Sequence, residues 1–537
     1  MLRSASPLQR AAAAAFVTIG LLGGCASGPA PGAGCADGGP GVVCTAQGAV
    51  RGSPDGGTLA FKGIPYAAAP VGSRRWAPPE PPQPWPGVRD GSRYGAVCPQ
   101  LAGPQVIGDE DCLTLNVWTP VTPPARPLPV MVFLTGGGNH AFSGQGAPVF
   151  GGVSYNGQQL VPEGVIHVSF NYRLGALGFL AHPALGAERA DKLSGNYGSL
   201  DQVAMLRWLQ ANIAAFGGDP QRITLFGTSA GGGNICTLMA MPAARGLFQR
   251  AAMQSSVPTG CELPTLQQAE AGTGARVAQA LQCSGADAAA CLRGKAAADV
   301  VRAVPGSFGM QPRLYGPVVD GRHVPEQPIA AIERRAHAAV PVIIGNTTQE
   351  TMQWAGGMGP VSDAASYQTA LAKVYGAEVT PRIMAVYPLG AYPTPHAALM
   401  QLTTDSFFTC QSRRVAHSLA RSQPQPVYRY LYAHTLDNDA DQRALGAVHT
   451  IEHVMFFPWQ GKYTPTAADR AVQSALVKRW AGFAAVADPA AAGGPAWGPA
   501  HPGDRYLWIG AASEARQGDG GAQCDFWDSV RLPSPHL

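Results

Sequence analysis

Charge is scarce in this chain. Asp, Glu, Lys and Arg make up 13% of its 537 residues, about half the share of an average soluble protein. The formal net charge is only +4, and two of the arginines, Arg3 and Arg10, fall in a leader-like N-terminal segment. No block of basic residues occurs, so the electrostatic footprint of a nucleic-acid partner is missing. The 11 cysteines never show C-x-x-C spacing, which argues against a thiolate zinc site. The apolar run Ala11 to Gly24 falls short of the roughly 20 residues that cross a bilayer. Preceded by Arg3 and Arg10, it reads as the apolar core of a signal peptide. Gly 67 and Pro 48 imply many turns without the concentration of a fibrous or disordered chain. A chain this long can bury a large core, as one large α/β domain or as two to three smaller ones.

The leader, residues 1–24, ends in Leu22-Gly23-Gly24-Cys25, which resembles a bacterial lipobox with Cys25 as the lipidated residue. The alternative is ordinary secretion with cleavage nearby. Residues 25–41 are small and rich in Pro and Gly and read as a flexible tether. Residues 42–537 are expected to form one domain. The expected location is an exported lipoprotein held at the bacterial envelope by its lipid alone, or else a secreted or periplasmic protein. Setting Cys25 aside leaves an even set of cysteines: Cys35, Cys44, Cys98, Cys112, Cys236, Cys261, Cys283, Cys291, Cys410 and Cys524. Several are close in sequence, as in loops closed by disulfides in an oxidising compartment. Spacing alone does not fix their connectivity.

Strand-like runs occur at Leu115–Trp118, Val130–Leu134, Val165–Phe170, Ile223–Phe226, Val340–Ile344 and Val427–Tyr432. Several are continuously apolar, the pattern of strands buried on both faces. Between them lie helical stretches such as Ser199–Ala215, where Val203, Leu206, Leu209 and Ile213 recur at helical spacing. The alternation predicts a layered α/β fold. Alanine-rich Ala288–Val301 and Ala364–Val374 read as surface helices inserted on that sheet.

The densest chemical signal is Gly227-Thr228-Ser229-Ala230-Gly231, a G-x-S-x-G stretch between a predicted strand and a predicted helix. Such a turn holds the serine hydroxyl exposed above a sheet. Acyl transfer also needs donors for the developing oxyanion, a base, and an acid that orients the base. The glycine loop Thr135-Gly136-Gly137-Gly138-Asn139 follows an apolar strand, and its backbone N–H groups can turn toward a ligand. Together with the N–H of Ala230 it suits an oxyanion hole.

These elements resemble the type B carboxylesterase family, which includes cholinesterases and bacterial para-nitrobenzyl esterases. Phe216-Gly217-Gly218-Asp219-Pro220 followed by the Ser229 stretch is similar to its serine signature, and Glu110–Val117 to its second signature. Phe61–Ala67, Asn171–Gly175, Asn196–Gln202 and Cys524–Trp527 match further, so the resemblance runs from about Thr45 to Pro533. It implies an α/β-hydrolase fold, with a large, mostly parallel sheet flanked by helices and insertions over the active site. It also implies a triad of Ser229, Glu350 and His449, with Gly137, Gly138 and Ala230 as oxyanion donors. Ser255 would support the acid and base from behind. Trp354 and Thr228 fall at pocket positions. The disulfides implied are Cys98–Cys112, Cys283–Cys291 and Cys410–Cys524. Cys35 and Cys44 are paired by proximity only, and Cys236 and Cys261 are either a further bridge or two free thiols.

The chain departs from the family in places. Thr135 replaces the usual histidine of the donor loop, Thr351 a usual glycine after the acid, and Thr228 a frequent glutamate before the nucleophile. The segment between Cys98 and Cys112 lacks tryptophan, so choline esters are not expected as substrates.

Two other readings compete. His449-Thr450-Ile451-Glu452-His453 fits H-x-x-E-H, which on a helix would set two zinc ligands on one face. Glu514, in what reads as a loop, is the glutamate left downstream to complete such a site. A non-catalytic binding protein on the same fold would typically lack the nucleophile. The expectation is therefore a serine carboxylesterase working through an acyl-enzyme on a small-molecule ester. It needs no metal or organic cofactor and has no nucleic-acid partner, and its oligomeric state is open.

Overall fold

The apolar runs assemble into one eleven-stranded sheet. In chain order the strands are β1 Ser53–Asp55, β2 Thr58–Pro65, β3 Thr114–Pro120, β4 Leu128–Leu134, β5 Ile166–Phe170 and β6 Gly218–Thr228. They continue with β7 Arg250–Gln254, β8 Val342–Thr347, β9 Val427–Tyr432, β10 Arg505–Ile509 and β11 Glu514–Gln517. Their order across the sheet is β1-β2-β3-β5-β4-β6-β7-β8-β9-β10-β11. Neighbours from β5 to β10 are parallel, and the pairs at both ends are antiparallel. This is the α/β-hydrolase architecture. The computed structural model describes residues 39–256, 261–309, 313–459, 461, 463–518 and 520–530. The leader, Cys25, Cys35 and most of the expected tether lie outside the described residues.

The continuous apolar strands follow from burial on both faces. Along β4, Val130, Val132 and Leu134 enter one core while Met131 and Phe133 enter the other. This is the period-two alternation of a strand with helices on each side. The first core takes Val203, Leu206 and Leu209 of the helix Tyr197–Asn212, and Ile235 and Leu238 of the helix Ala230–Ala240. The second takes Val472, Leu476, Trp480 and Phe483 of the helix Ala467–Val486. A third, smaller core joins the helices Ala364–Tyr375, Thr380–Val386, Pro395–Thr404 and Gly521–Ser529 through Tyr367, Leu371, Ile383, Leu402 and Trp527.

Several sequence expectations shift at their edges. The helix expected over Ser199–Ala215 runs Tyr197–Asn212, then tightens into a 3-10 turn at Ile213–Phe216 that stops at Gly217 with φ 83°. The single helix expected over Ala288–Val301 is two, Ala288–Gly294 and Ala297–Ala303, with Lys295 extended between them. Glu514, expected in a loop, opens the edge strand β11.

Cys98–Cys112, Cys283–Cys291 and Cys410–Cys524 are bonded. Cys236 and Cys261, left open by spacing, are bonded too, tying the helix Ala230–Ala240 to the segment beyond β7. Cys44 is also in a disulfide.

Candidate active site

Strand β6 ends at Thr228 and a helix begins at Ala230, so Ser229 sits alone on the turn with φ 59° and ψ −126°. A non-glycine residue at such angles costs on the order of 1–3 kcal/mol and persists only where its surroundings hold it. Here the Ser229 N–H donates to the Gln254 carbonyl at the end of β7, at 3.0 Å. The flanking glycines are steric requirements. A Cβ on Gly231 would lie 2.0 Å from the Leu134 carbonyl oxygen, and one on Gly227 2.7 Å from the same atom. The turn therefore fits only because strand β4 can pass against bare backbone.

That strand leads straight into the glycine loop. A Cβ on Gly136 would meet the Thr228 carbonyl oxygen at 2.7 Å and the Ser229 Cβ at 3.2 Å, so loop and elbow are in contact. Gly137, Gly138 and Asn139 all have positive φ, at 82°, 60° and 60°. The loop is fixed by buried polar groups. The Tyr172 hydroxyl donates to the Thr135 carbonyl at 2.9 Å, and Asn234, on the elbow helix, donates to Asn139 Oδ1 at 2.9 Å. Thr135 thus contributes its backbone carbonyl, which is indifferent to the loss of the family histidine.

Beyond β8, Glu350 is fully buried and turned back on its own strand. One carboxylate oxygen accepts from the Thr347 N–H at 2.8 Å, and the other meets His449 Nδ1 at 2.5 Å. The loop carrying His449 is strapped to the acid's loop. Gln349 N–H donates to the Ala447 carbonyl at 3.0 Å, and Ala447 N–H to Gln349 Oε1 at 2.9 Å. With Nδ1–H committed to the carboxylate, the imidazole tautomer places its lone pair on Nε2. Thr351 takes ordinary right-handed angles, φ −95° and ψ −4°, so the turn does not require glycine there. Its hydroxyl lies 2.6 Å from that of Thr403, joining the acid's loop to the insertion helices.

A model of the carboxylesterase family matches residues 40–527. The chain belongs to the carboxylesterase family. It is 36% identical over 398 residues to the fumonisin B1 esterase of Sphingopyxis macrogoltabida, covering 72% of this chain and 70% of that protein. It is 35% identical over 407 residues to the para-nitrobenzyl esterase of Bacillus subtilis (strain 168), covering 73% and 78%. Among solved structures, a Geobacillus stearothermophilus carboxylesterase crystallised at pH 6.2 superposes with a TM-score of 0.78 at 30% identity. That superposition covers 91% of this chain and all (100%) of the other. This carboxylesterase is a carboxylic ester hydrolase, and its sheet is that of its structural neighbours.

Around Ser229, Glu350 and His449 lie residues that the sequence did not single out for their positions. Glu452, three residues after His449 and weighed only as part of a zinc motif, is fully buried. Its oxygens face the Ser255 hydroxyl and the Gln254 amide, each at 3.4 Å. Ser255, at φ 45°, thus contacts Glu452. Burial pushes the Glu452 carboxyl up to about 8, with the charge of Glu350 adding to it and hydrogen bonds from Tyr430, Gln254 and Ser255 opposing. A buried carboxyl that feels a second negative charge is harder to ionise.

Trp354 packs on the His449 imidazole with ring centroids 5.0 Å apart, and Phe408 does so at 5.3 Å. Opposite the glycine loop, Phe308 stacks on Phe142 at 5.5 Å and lies 4.7 Å from His140. Thr228 is fully buried beneath the elbow, in register with Gln254. The H-x-x-E-H stretch is not one helix. Thr450 has φ 71°, and the helix starts only at His453. His453 points into the second core, 3.3 Å from the Tyr155 hydroxyl, where burial and then the neighbouring His449 push its pKa down to about 3.

Proposed function

We propose that this carboxylesterase works through Ser229, His449 and Glu350. As Ser229 Oγ attacks the ester carbonyl, His449 Nε2 takes the hydroxyl proton, and Glu350 stabilises the resulting imidazolium. The N–H groups of Gly137, Gly138 and Ala230 receive the oxyanion, helped by the positive end of the helix that begins at Ala230. His449 then passes its proton to the departing alcohol. Water, deprotonated by the same nitrogen, attacks the acyl-enzyme and releases the acid. The observation that carries this reading is the Glu350–His449 contact of 2.5 Å between buried side chains. Consistent with it, the positive φ of Ser229 sets its side chain off the line of the strand. The relatives are named for small-molecule esters, and small esters are the substrate class proposed here. Kinetics on a simple aryl ester test the reading. Ser229→Ala should lower kcat by several orders of magnitude, and full activity in that variant would overturn it.

Cys25 is proposed as the point of lipid attachment, from the lipobox-like Leu22-Gly23-Gly24-Cys25. Two or more acyl chains give durable membrane attachment, where one gives only marginal binding. Cys25→Ser should move activity from the membrane fraction to the soluble fraction at unchanged turnover. A soluble wild-type protein whose mature N-terminus lies beyond Cys25 would show simple secretion instead.

A further inference from the structure

A cavity of about 780 Å³ lies on the far side of the strap 305–309. Two arginines, Arg276 and Arg313, contribute to its walls, with Gln268, Thr273, Ser307 and Tyr315 as further polar groups. No Asp or Glu is among the described residues that line it. Apolar surface from Phe179, Pro264 and Leu314 completes it. Arg276 stands exposed at the rim, whereas Arg313 is half-buried. The Arg313 guanidinium lies on the bare backbone of Gly316, where a Cβ would come within 2.9 Å of Nη2. The strap's anchor is the Tyr315 hydroxyl, which donates to the Val304 carbonyl at 2.6 Å.

This cavity adjoins the reaction site. Ser307 faces it, and the residues on either side of Ser307 belong to the other face of the strap. Phe308 packs on His140 and Phe142, and a Cβ on Gly306 would run into the His140 ring at 2.3 Å. His140 in turn sits on Gly138 of the glycine loop, with Nδ1 3.2 Å from the Gly138 carbonyl. Gly309, at the end of the strap, approaches Trp354, the ring that covers His449. The strap thus lines the arginine-bearing space with Pro305 and Ser307 and packs on the rings beside the glycine loop with Gly306 and Phe308, and the charge of Arg313 reaches His140 and Tyr172, both bonded to that loop.

We propose that this space receives a carboxylate carried by the substrate, so that the enzyme prefers esters bearing a free acid group, with Arg313 as the residue that recognises it. The inference rests on the esterase reading of Ser229 and names the substrate class for that site. A guanidinium presents a planar fork of donors that matches a carboxylate, and hydroxyl and amide groups beside it can fill the remaining lone pairs. The apolar walls suit the short carbon chain between acid and ester. Burial lowers the Arg313 pKa only to about 10, so it stays cationic at neutral pH. A cationic ester finds two like charges in the same space.

The test compares matched esters on the full-length protein. Monoethyl glutarate against ethyl valerate places the charge on the acyl side, and carboxymethyl valerate against isobutyl valerate places it on the alcohol side. In at least one pair, kcat/KM for the charged ester should exceed that for its neutral partner by about 10- to 100-fold, the range of a charge-assisted pair. The favoured pair reports which side of the ester enters the cavity. Arg313→Gln should abolish that ratio and Arg313→Lys should keep part of it, the ratio within each variant controlling for loss of folded enzyme. Independently of any variant, glutarate should inhibit wild-type hydrolysis of ethyl valerate competitively, while valeramide at equal concentration should inhibit less. Neutral esters turned over with no preference for either charged partner, or a ratio that survives Arg313→Gln, would overturn the proposal. If wild-type enzyme hydrolyses none of the four esters nor an aryl acetate, the reading of Ser229 falls first and the proposal with it.

Discussion

Trp354 lies against His449, ring centroids 5.0 Å apart at an interplanar angle of 51°. The indole is half-buried and comes from the 3-10 turn Met352–Met358, which directly follows the acid's loop. One short segment therefore supplies both the carboxylate that meets the imidazole and a ring packed against it. Ring pairs of this kind are worth about 0.5–1.5 kcal/mol beyond the area they bury. Trp354→Ala should lower kcat/KM for an aryl ester by roughly 2- to 12-fold, measured by steady-state kinetics. An unchanged kcat/KM would place the ring outside the working site.

Glu350→Gln tests the acid separately from the nucleophile. The amide can occupy the same space beside His449 Nδ1 and the Thr347 N–H, but it no longer stabilises an imidazolium or enforces the tautomer. Losses of about 10⁴ in kcat follow such changes in serine hydrolases. His449→Ala should be nearly as damaging as removal of the serine, because the groups act as a unit. A fully active Glu350→Gln enzyme would mean that another carboxylate orients His449.

Most of the parallel sheet is legible in the chain because its inner strands are mostly apolar runs, buried on both faces. Strand β9 begins and ends where the pattern of Val427–Tyr432 does. The positions of the Ser229 turn, the glycine loop and Glu350 are legible because each is a local stretch placed just after a strand. Helix boundaries are less so. In Ala288–Val301, alanine's strong helix preference hides a break after Gly294, made by Lys295 in an extended conformation. The walls of the site are not local at all. Phe308, Phe408 and Trp354 come from three separate segments, and only Trp354, four residues after Glu350, carried a positional signal. Glu452 was visible only as a letter in a different motif, because its contacts with Ser255 and Gln254 span nearly two hundred residues.

The Glu452 carboxyl gives a pH dependence with a defined sign. Burial and the nearby Glu350 raise its pKa from an ordinary 4.5 to about 8. The folded protein then holds this proton more tightly than the unfolded chain does. The group's stabilising contribution is full below about pH 4.5 and is lost as pH rises through about 8. Glu452→Gln resembles the protonated form at every pH. Between those limits the wild-type Tm should fall relative to that of the variant, by an amount equivalent to a few kcal/mol, since each pH unit between the unfolded and folded pKa corresponds to about 1.4 kcal/mol. Thermal melts at matched pH values check this, and parallel curves would show that Glu452 is ionised in the folded protein.

The bridge Cys410–Cys524 closes a loop with a sequence separation of 114 and ties the helix Gly521–Ser529 to the third core. Closing a loop of that length in the unfolded chain corresponds to roughly 4–5 kcal/mol in the chain-entropy model. Cys410→Ser with Cys524→Ser should lower the unfolding midpoint in urea while the refolded enzyme keeps its turnover of aryl esters. Alkylation of either cysteine in the native, non-reduced wild type would show that the bridge is absent in solution.

Covalent labelling of the native enzyme by an organophosphonate ester, read by peptide mass spectrometry, tests the role of Ser229 itself. One adduct is expected, on Ser229, appearing in step with loss of esterase activity and absent from Ser229→Ala. Complete inactivation with the adduct on another residue, or retained activity with Ser229 fully labelled, would contradict it.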